Sequence, residues 1–332
     1  MLIIPQHYRS KLGIRDTERA IKTAKDGFEK RLAKALNLER VSAPIFVERT
    51  SGLNDDLNGV ERPVRFDSPG LSDEIEIVHS LAKWKRSALA RYGFKPGEGL
   101  YTDMNAIRRD EETDNLHSIY VDQWDWEKVI ERSDRTFDTL RSAVTSIIDT
   151  LKQTEEELCS GFDLEPAVTE DVFFVSSEEL LKTWPELTPK QREDAICREK
   201  KTVFISQIGK TLSDGSRHDG RAPDYDDWEL NGDILVWYPL LDRSVELSSM
   251  GVRVDEESLL RQLKAANCLD RKELGYHKAL LNGQLPYTVG GGIGQSRLCM
   301  VLLGKAHIGE VQASLWPEQM HTVCAEHGID LL

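Results

Sequence analysis

Apolar residues along this chain recur at two spacings, and the first is the spacing of an α-helix. Over residues 17–36, the positions Ile21, Ala24, Phe28, Leu32 and Leu36 follow one another at steps of three or four. This period collects them on one face, so the stretch is predicted to be an amphipathic helix packed on a core. Similar patterns predict further helices over residues 80–92, 127–158, 255–267 and 270–282.

The second pattern is a series of short apolar stretches bounded by polar turns. Stretches of this kind predict β-strands. They cover residues 41–47 (with Pro44 inside), 60–66, 74–78, 100–107, 117–124, 233–241 and 244–250. Strands in hairpin-like succession, with helices grouped between them, are typical of an α+β fold: an antiparallel sheet flanked by helices. We expect a single domain over 1–332 with a small α/β insertion at about 165–210, followed by a polar loop over 209–231.

A glycine-rich run near the end of the sequence is the strongest local signal for a ligand. Gly290, Gly291, Gly292 and Gly294 precede an apolar stretch that is predicted to be a buried helix, with Arg297 in its first turn. A glycine turn feeding a helix offers free N–H groups to an anion, which predicts a platform for nucleotide phosphate or base. Dinucleotide and P-loop motifs fit the spacing poorly. A flexible hairpin before a core helix is the alternative.

Two further places carry charged residues suited to phosphate. Arg108 ends a predicted strand just before an acidic loop, and its planar fork suits phosphate oxygens, although it could simply balance its acidic neighbours. Asp233 and Glu246 are predicted near the ends of two adjacent strands. If those strands pair as a hairpin, the two carboxylates suit Mg²⁺, which commonly takes one or two carboxylates plus substrate phosphates. Solvated strand-end acids are the alternative.

Other residues suit an amino-acid substrate. Ser80 is a plausible helix cap, and Lys85 on the helix that follows could reach a substrate carboxylate or be solvated. On a half-buried strand, Gln123 and Asp125 share a face, and an amide beside a carboxylate suits an amino-acid head group. Asp226 either adds an acid to that pocket or belongs to a plain Asp-rich turn.

The charge, the apolar runs and the cysteines of the chain limit the partners and the location that are expected. The formal net charge is −14 over 332 residues and the basic clusters are short, so we expect small-molecule substrates and no nucleic acid. No apolar run approaches the roughly 20 residues of a membrane span, so no membrane partner is expected. The five cysteines show no CxxC spacing, which favours a reducing, cytoplasmic location.

Several longer strings identify a family. They resemble the ammonia-dependent asparagine synthetases, also called aspartate–ammonia ligases, and the likeness runs from about residue 10 to 317. The strings are HSLAKWKR at 79–86, GEGLYT at 97–102, YVDQWDW at 120–126, RAPDYDDW at 221–228, NGDILVW at 231–237, ELSSMG at 246–251 and the glycine run. The resemblance implies the catalytic-domain fold of class II aminoacyl-tRNA synthetases, working as a homodimer formed through the first helix and the segment with Pro44.

The resemblance also implies roles for residues. Arg108 would hold the α-phosphate of ATP and Arg297 the triphosphate end. Members of the family carry an aspartate proposed to help ammonia; Ser51 stands at that position here, and Asp55 or Asp56 is the alternative acid. The catalytic positions are then Arg108, Gln123, Arg297 and Ser51. Substrate aspartate would contact Ser80, Lys85, Asp125, Asp226, Ser249 and Arg253. ATP would contact Arg108, Leu116, Ser118, Asp233, Glu246, Leu247, Gly292, Gly294 and Arg297, with Mg²⁺ on Asp233 and Glu246.

The implied reaction joins L-aspartate, ATP and ammonia into L-asparagine, AMP and diphosphate through β-aspartyl-AMP. An aspartyl- or asparaginyl-tRNA synthetase would share the adenylate chemistry but needs a tRNA-binding module, which we do not expect in this acidic chain. A glutamine-dependent synthetase needs a cysteine as its mature first residue, and residue 2 is Leu. A regulator that only binds amino acid or nucleotide remains an alternative, against which both arginines and both acids argue.

Overall fold

A computed structural model of the chain describes residues 2–55, 61–71, 74–168 and 171–332. The α-helices are α1 (Ile14–Leu36), α2 (Ala82–Tyr92), α3 (Phe137–Phe162), α4 (Ser177–Thr183), α5 (Pro189–Lys200), α6 (Glu256–Ala265), α7 (Gly275–Leu281), α8 (Gln295–Leu302) and α9 (Glu318–Glu326). The strands are β1 (Leu38–Arg40), β2 (Phe46–Glu48), β3 (Arg65–Phe66), β4 (Ile75–Ile77), β5 (Gly99–Ile107), β6 (Tyr120–Val129), β7 (Phe173–Ser176), β8 (Thr202–Ser206), β9 (Asp226–Tyr238), β10 (Arg243–Arg253) and β11 (Thr288–Gly294).

The main sheet has eight strands in the described part of the chain, in the order β1-β5-β6-β11-β10-β9-β8-β7. All neighbours from β5 across to β8 are antiparallel, while β1 runs parallel to β5 at one edge and β7 parallel to β8 at the other. A second sheet joins β2, β4 and β3. The prediction of an α+β fold around a mainly antiparallel sheet is confirmed.

One face of the main sheet contributes to the hydrophobic core. Helix α1 buries Phe28 and Leu32 against this face, and the Phe28 ring lies 4.8 Å from the ring of Trp124 on β6. Helices α3 and α8 pack beside α1. Because strand side chains alternate in direction, Trp124 and Trp126 point to this core while the odd-numbered neighbours on β6 point to the opposite face. There Lys85 of α2 meets two of them, Asp125 and Glu127.

Three predicted elements are wrong in type or extent. The helix predicted over 127–158 begins only at Phe137, after the Thr136 cap, because β6 continues to Val129. Residues 41–47 are not one strand: β1 ends at Arg40 and β2 starts at Phe46, with Pro44, which has no N–H for a ladder, between them. Of the strand predicted over 60–66, residues 61–66 are described and only Arg65–Phe66 is a strand.

The glycine run is a strand, which corrects the predicted turn. Residues Thr288–Gly294 form β11 between β10 and β6, and their main-chain groups are used in the two ladders. None of these glycines has a positive φ. Their lack of a side chain matters because a Cβ on Gly290 would overlap Glu127, and one on Gly292 would overlap Gln123 and Asp125.

In the parts of the chain given above, no helix is both long enough and apolar enough to cross a bilayer.

Candidate active site

A cavity of about 430 Å³ opens on the sheet face opposite α1. That size falls in the range of small-molecule sites. The structure brings together there most of the side chains predicted from the sequence: Arg108, Leu116, Ser118, Gln123, Asp233, Glu246, Leu247, Ser249, Gly292, Gly294 and Arg297 all line it. A second cavity of about 450 Å³ shares Leu116, Asp233, Glu246 and Arg297, so the groove continues past these residues toward Lys190 and Arg243.

The two predicted phosphate-binding arginines face this cavity with little competition from acids. Arg108 follows β5, and its closest acid is Glu111, 3.9 Å away, while its buried Nε has no hydrogen-bond partner in the described residues. Arg297 lies in the first turn of α8 and donates to the carbonyl oxygens of Glu246 (2.9 Å) and Leu116 (3.5 Å). Both guanidinium groups are therefore left to attract an anion that enters the cavity.

The two predicted metal ligands lie side by side but not at strand ends, which corrects the prediction. In the antiparallel pair β9–β10, Asp233 is opposite Ser249 and Glu246 is opposite Leu235, both inside the ladder. Burial, together with the nearby Glu246 carboxylate, raises the pKa of Asp233 to about 7, although Arg221 opposes the shift from 2.5 Å. Burial is the main cause of this raised pKa, and a bound cation would offset both the burial and the charge of Glu246.

Four residues predicted to hold substrate aspartate form a closed ionic network behind the cavity floor. Arg253 donates to Glu127 from Nε at 3.0 Å and from Nη2 at 2.7 Å, and its Nη1 donates to Asp226. Lys85 lies 3.4 Å from Asp125 and donates to the carbonyls of Trp126 and Gly291. All five side chains are buried. Lys85, Asp125, Asp226 and Arg253 thus lie one layer below Gln123 and Ser249, which face the cavity.

Glu127 is a member of this network that the sequence analysis missed. Burial alone would raise the pKa of Glu127, but Arg253, Lys85 and the hydroxyl of Thr288, at 2.6 Å, outweigh it and keep the pKa below its ordinary value. The signal was available, because the same alternation that puts Gln123 and Asp125 on one face of β6 continues to residue 127.

Arg221 is a second residue that was missed, although it lies inside one of the strings that carry the resemblance. It comes from the loop before β9, its side chain is 8% exposed, and it donates to Asp233 and to the Ser249 hydroxyl. It lies 3.8 Å from Asp226. Its guanidinium therefore links the acid predicted to hold metal with two residues predicted to hold aspartate. The spacing of a loop residue cannot reveal this placement.

Two of the three residues predicted near ammonia, Ser51 and Asp55, lie in the segment before the undescribed residues 56–60. Ser51 is in a 3-10 turn, where its hydroxyl donates to the Glu48 carbonyl at 2.6 Å and accepts from the Leu53 N–H at 3.2 Å. Asp55 is buried, with Lys83 and Tyr225 close enough for its charge to affect their pKa values. Asp56 lies outside the described residues.

Ser80, predicted to bind aspartate, is half-buried. Its Oγ accepts a hydrogen bond from the N–H of Ala82 at 3.1 Å, so it lies one residue before the cap position at Leu81.

A family model of aspartate–ammonia ligases matches residues 15–328. The aspartate–ammonia ligase of Ruminiclostridium cellulolyticum is 62% identical over 333 residues, which cover 100% of this chain and 99% of the relative. Those of Clostridium perfringens (strain SM101) and Lactobacillus johnsonii are 61% and 57% identical, again over 100% of this chain and 99% of each relative.

The chain belongs to the aspartate–ammonia ligase family. The family predicted from the sequence strings is thereby confirmed, and with it the activity: the ligase makes asparagine from aspartate and ammonia at the expense of ATP.

Solved structures confirm the fold expected of this ligase. It is similar to the asparaginyl-tRNA synthetase of Entamoeba histolytica in complex with asparaginyl-adenylate, with a TM-score of 0.63 and 14% identity, covering 90% of this chain and 66% of that one. The asparaginyl-tRNA synthetase of Pyrococcus horikoshii, also with asparaginyl-adenylate, gives a TM-score of 0.63 and 16% identity, covering 91% and 70%. The ligase has the class II synthetase fold.

Proposed function

We propose that the ligase reaction takes place in the cavity lined by Arg108 and Arg297, in two steps through β-aspartyl-AMP. A carboxylate is a poor electrophile because attack on it would expel oxide, so transfer of AMP to the β-carboxylate supplies a leaving group. Ammonia then attacks the β-carbonyl carbon and AMP departs. The observation that carries the proposal is the meeting of two weakly paired arginines with two crowded carboxylates in one cavity.

The arginines act on phosphate in this proposal. Bringing a substrate carboxylate to ATP joins two anions, and the Arg108 guanidinium offsets their repulsion at the α-phosphate while Arg297 holds the triphosphate end. Main-chain and side-chain groups of Leu116, Ser118, Leu247, Gly292 and Gly294 line the same groove and complete the ATP site. The rest of the work in this step is positioning for in-line attack.

Asp233 and Glu246 would hold Mg²⁺. The raised pKa of Asp233 supports this, since two crowded carboxylates favour a cation between them and the phosphates. In the described residues no group of three or more His, Cys, Asp or Glu side chains could hold a metal, so the proposal rests on the two carboxylates. Mg²⁺ commonly takes one or two carboxylates plus substrate phosphates. The ion would neutralise charge on the diphosphate leaving group.

Substrate aspartate would lie over the ionic network, against Gln123 and Ser249. Lys85, Asp125, Asp226 and Arg253 then fix the charge and shape of the floor beneath it. Ser80, just before α2, is the remaining residue that we propose binds aspartate. Gln123 would hold the β-carboxyl group with its amide. Support comes from Gly292: a side chain there would overlap both Gln123 and Asp125, so the bare backbone keeps this position open.

We also propose that the ligase works as a single catalytic domain in a cytoplasmic homodimer. Its five cysteines are free thiols, as expected in a reducing compartment. Phe46 and Phe66 of the small sheet are 45% and 38% exposed, beside Ile45 at 52%, an apolar surface of the kind that subunits cover. A solution mass near 37.7 kDa instead of twice that value would refute the dimer.

Product analysis tests the assignment. L-aspartate, Mg-ATP and ammonium should yield asparagine and AMP, whereas glutamine in place of ammonium should not. Arg108→Ala should lower turnover by about 10²–10³-fold with the fold intact, because it removes a cation aimed at developing charge. Arg198→Ala, which removes an exposed arginine paired with Asp242, is the control and should leave turnover unchanged. Near-normal turnover in Arg108→Ala would refute the proposal.

A further inference from the structure

His79 lies between β4 and α2 and is held in one orientation. Its side chain is buried, with 1% of the residue exposed. Its main-chain N–H donates to Asn54 Oδ1 at 2.9 Å, and its ring Nδ1 lies 3.0 Å from the carbonyl oxygen of Asp55. A carbonyl oxygen only accepts, so Nδ1 carries the hydrogen and, in the neutral ring, Nε2 is left with a free lone pair.

That lone pair accepts no hydrogen bond from the described residues. His79 lines the cavity of the active site together with Arg108, Gln123 and Tyr225, and its buried Nε2 has no hydrogen-bond partner in the described residues. A buried acceptor left unsatisfied is destabilising, so an isolated one in a native cavity calls for a ligand that donates to it.

The surroundings keep the imidazole neutral. Burial lowers the pKa of His79, and the positive charge of Arg108 lowers it further. The Asp55 carbonyl and the carboxylates of Glu61 and Glu76 act in the opposite direction but do not overcome burial. At neutral pH the ring is therefore an acceptor and not a second cation beside Arg108.

We propose that Nε2 of His79 binds the attacking ammonia and takes its proton. This inference rests on the proposed function. Ammonia donates an N–H to Nε2 while its own lone pair forms the C–N bond to the β-carbonyl carbon of β-aspartyl-AMP. Once that lone pair is used, the nitrogen becomes acidic, and one proton moves to Nε2. The C–O bond to AMP then breaks, its electron pair leaves with the phosphate, and His79 later releases the proton to water.

The geometry favours His79 over Ser51 for this task. A hydroxyl is not a base at neutral pH, and the Ser51 hydroxyl already makes hydrogen bonds to the main chain of Glu48 and Leu53. Asp55 contributes its main-chain carbonyl, which sets the tautomer of the ring. In this arrangement the Asp55 carboxylate need not touch ammonia at all, which makes the two residues separable by mutation.

His79→Asn separates the base from the fold. The Asn amide nitrogen stands where Nδ1 stood, so it can still donate to the Asp55 carbonyl, but the acceptor at Nε2 is gone. Two reactions are then measured: aspartate-dependent exchange of diphosphate into ATP, which reports adenylate formation, and asparagine formation from ammonium. Hydroxylamine serves as a second nucleophile: once its lone pair is used, its oxygen substituent makes the nitrogen more acidic than that of ammonia, so it loses a proton to water with less need of a base. His117→Asn is the matched control, because His117 lines the same cavity with its Nδ1 bonded to Asp114.

We expect His79→Asn to form asparagine from ammonium about 100-fold more slowly while exchange changes by only a few fold. Turnover with hydroxylamine should fall far less, and His117→Asn should leave the ratio of the two nucleophiles unchanged. Equal losses of exchange and amination in His79→Asn would overturn the inference, since they would show that His79 only supports the structure of the site. So would normal amination, or an ammonium-specific loss in Asp55→Asn alone, which would make that carboxylate the acceptor. Absence of exchange in the unmodified ligase would instead refute the proposed function.

Discussion

Arg253→Met tests how the floor of the aspartate site is built. Arg253 is 2% exposed and holds two carboxylates, those of Glu127 and Asp226, which are 0% and 1% exposed. Methionine has a similar length and no charge. The variant therefore keeps most of the packing and leaves two buried acids without their principal cation.

The expected loss of folding free energy depends on which hydrogen-bond and ion-pair partners each acid retains. Breaking a buried ion pair by removing one partner costs about 3–5 kcal/mol. Glu127 keeps the hydroxyl of Thr288 at 2.6 Å and Lys85 at 3.9 Å, and Asp226 keeps Arg221 at 3.8 Å. The two losses therefore do not add in full, and we expect a total near 3–5 kcal/mol, a large part of the roughly 5–15 kcal/mol that stabilises a typical domain.

Urea unfolding at several pH values is the assay. In the unmodified ligase the pKa of Glu127 lies below its ordinary value, so its contribution is present above that ordinary value and is lost as the pH falls. In Arg253→Met burial prevails and raises the pKa, so protonation stabilises the folded state at low pH. The deficit of the variant should shrink as the pH falls from about 8 to about 5.

Arg261→Met is the control. The Arg261 side chain is 59% exposed and lies 3.6 Å from Asp227, so this substitution should change the free energy of unfolding by no more than about 0.5 kcal/mol. A deficit below about 1 kcal/mol for Arg253→Met, or one that does not change with pH, would refute the reasoning that this network is held by charge.

Two further predictions concern the cavity itself. Gly292→Ala should raise the KM for aspartate, because its Cβ would displace Gln123 and Asp125, and also the KM for ATP, because Gly292 lines the ATP groove; an unchanged KM for aspartate would contradict this. The ligand-free ligase should lose stability as the pH rises through about 7, since the raised pKa of Asp233 favours the protonated, folded state below that value. Thermal unfolding should show this loss, and Mg-ATP should reverse it; a melting temperature that is flat between pH 6 and 8, at about 0.1 M salt, would argue against it.

Several elements could be predicted from sequence because a local pattern decides them. The apolar positions of α1 follow the helical period over about four turns, and the structure confirms a helix at Ile14–Leu36. The pairing of β9 with β10 follows from two apolar stretches joined by a short turn, which is why Asp233 and Glu246 were correctly expected on adjacent strands. Their position inside the ladder was not predicted, because polar residues within a strand interrupt the apolar pattern that marks its extent.

The glycine run shows why other parts could not be predicted. Glycine is usual in turns, so Gly290–Gly294 was expected to be one. The structure uses these residues in a central strand because carboxylates and an amide from β6 fill the space where side chains would stand. That requirement comes from residues more than 160 positions earlier, such as Glu127, and no local window contains it. The same holds for Arg221, whose partners Asp233 and Ser249 become neighbours only when the sheet forms.

The charges of the site explain how an acidic protein attracts an anionic nucleotide. Behind the floor, Asp125, Glu127 and Asp226 face Lys85, Arg253 and Arg221, so the charges of the network offset one another. At the cavity wall, Arg108 and Arg297 are opposed only weakly. The wall is therefore the part of the site that we expect to attract the phosphates of ATP. Local charge of this kind decides binding, and the net charge of −14 does not.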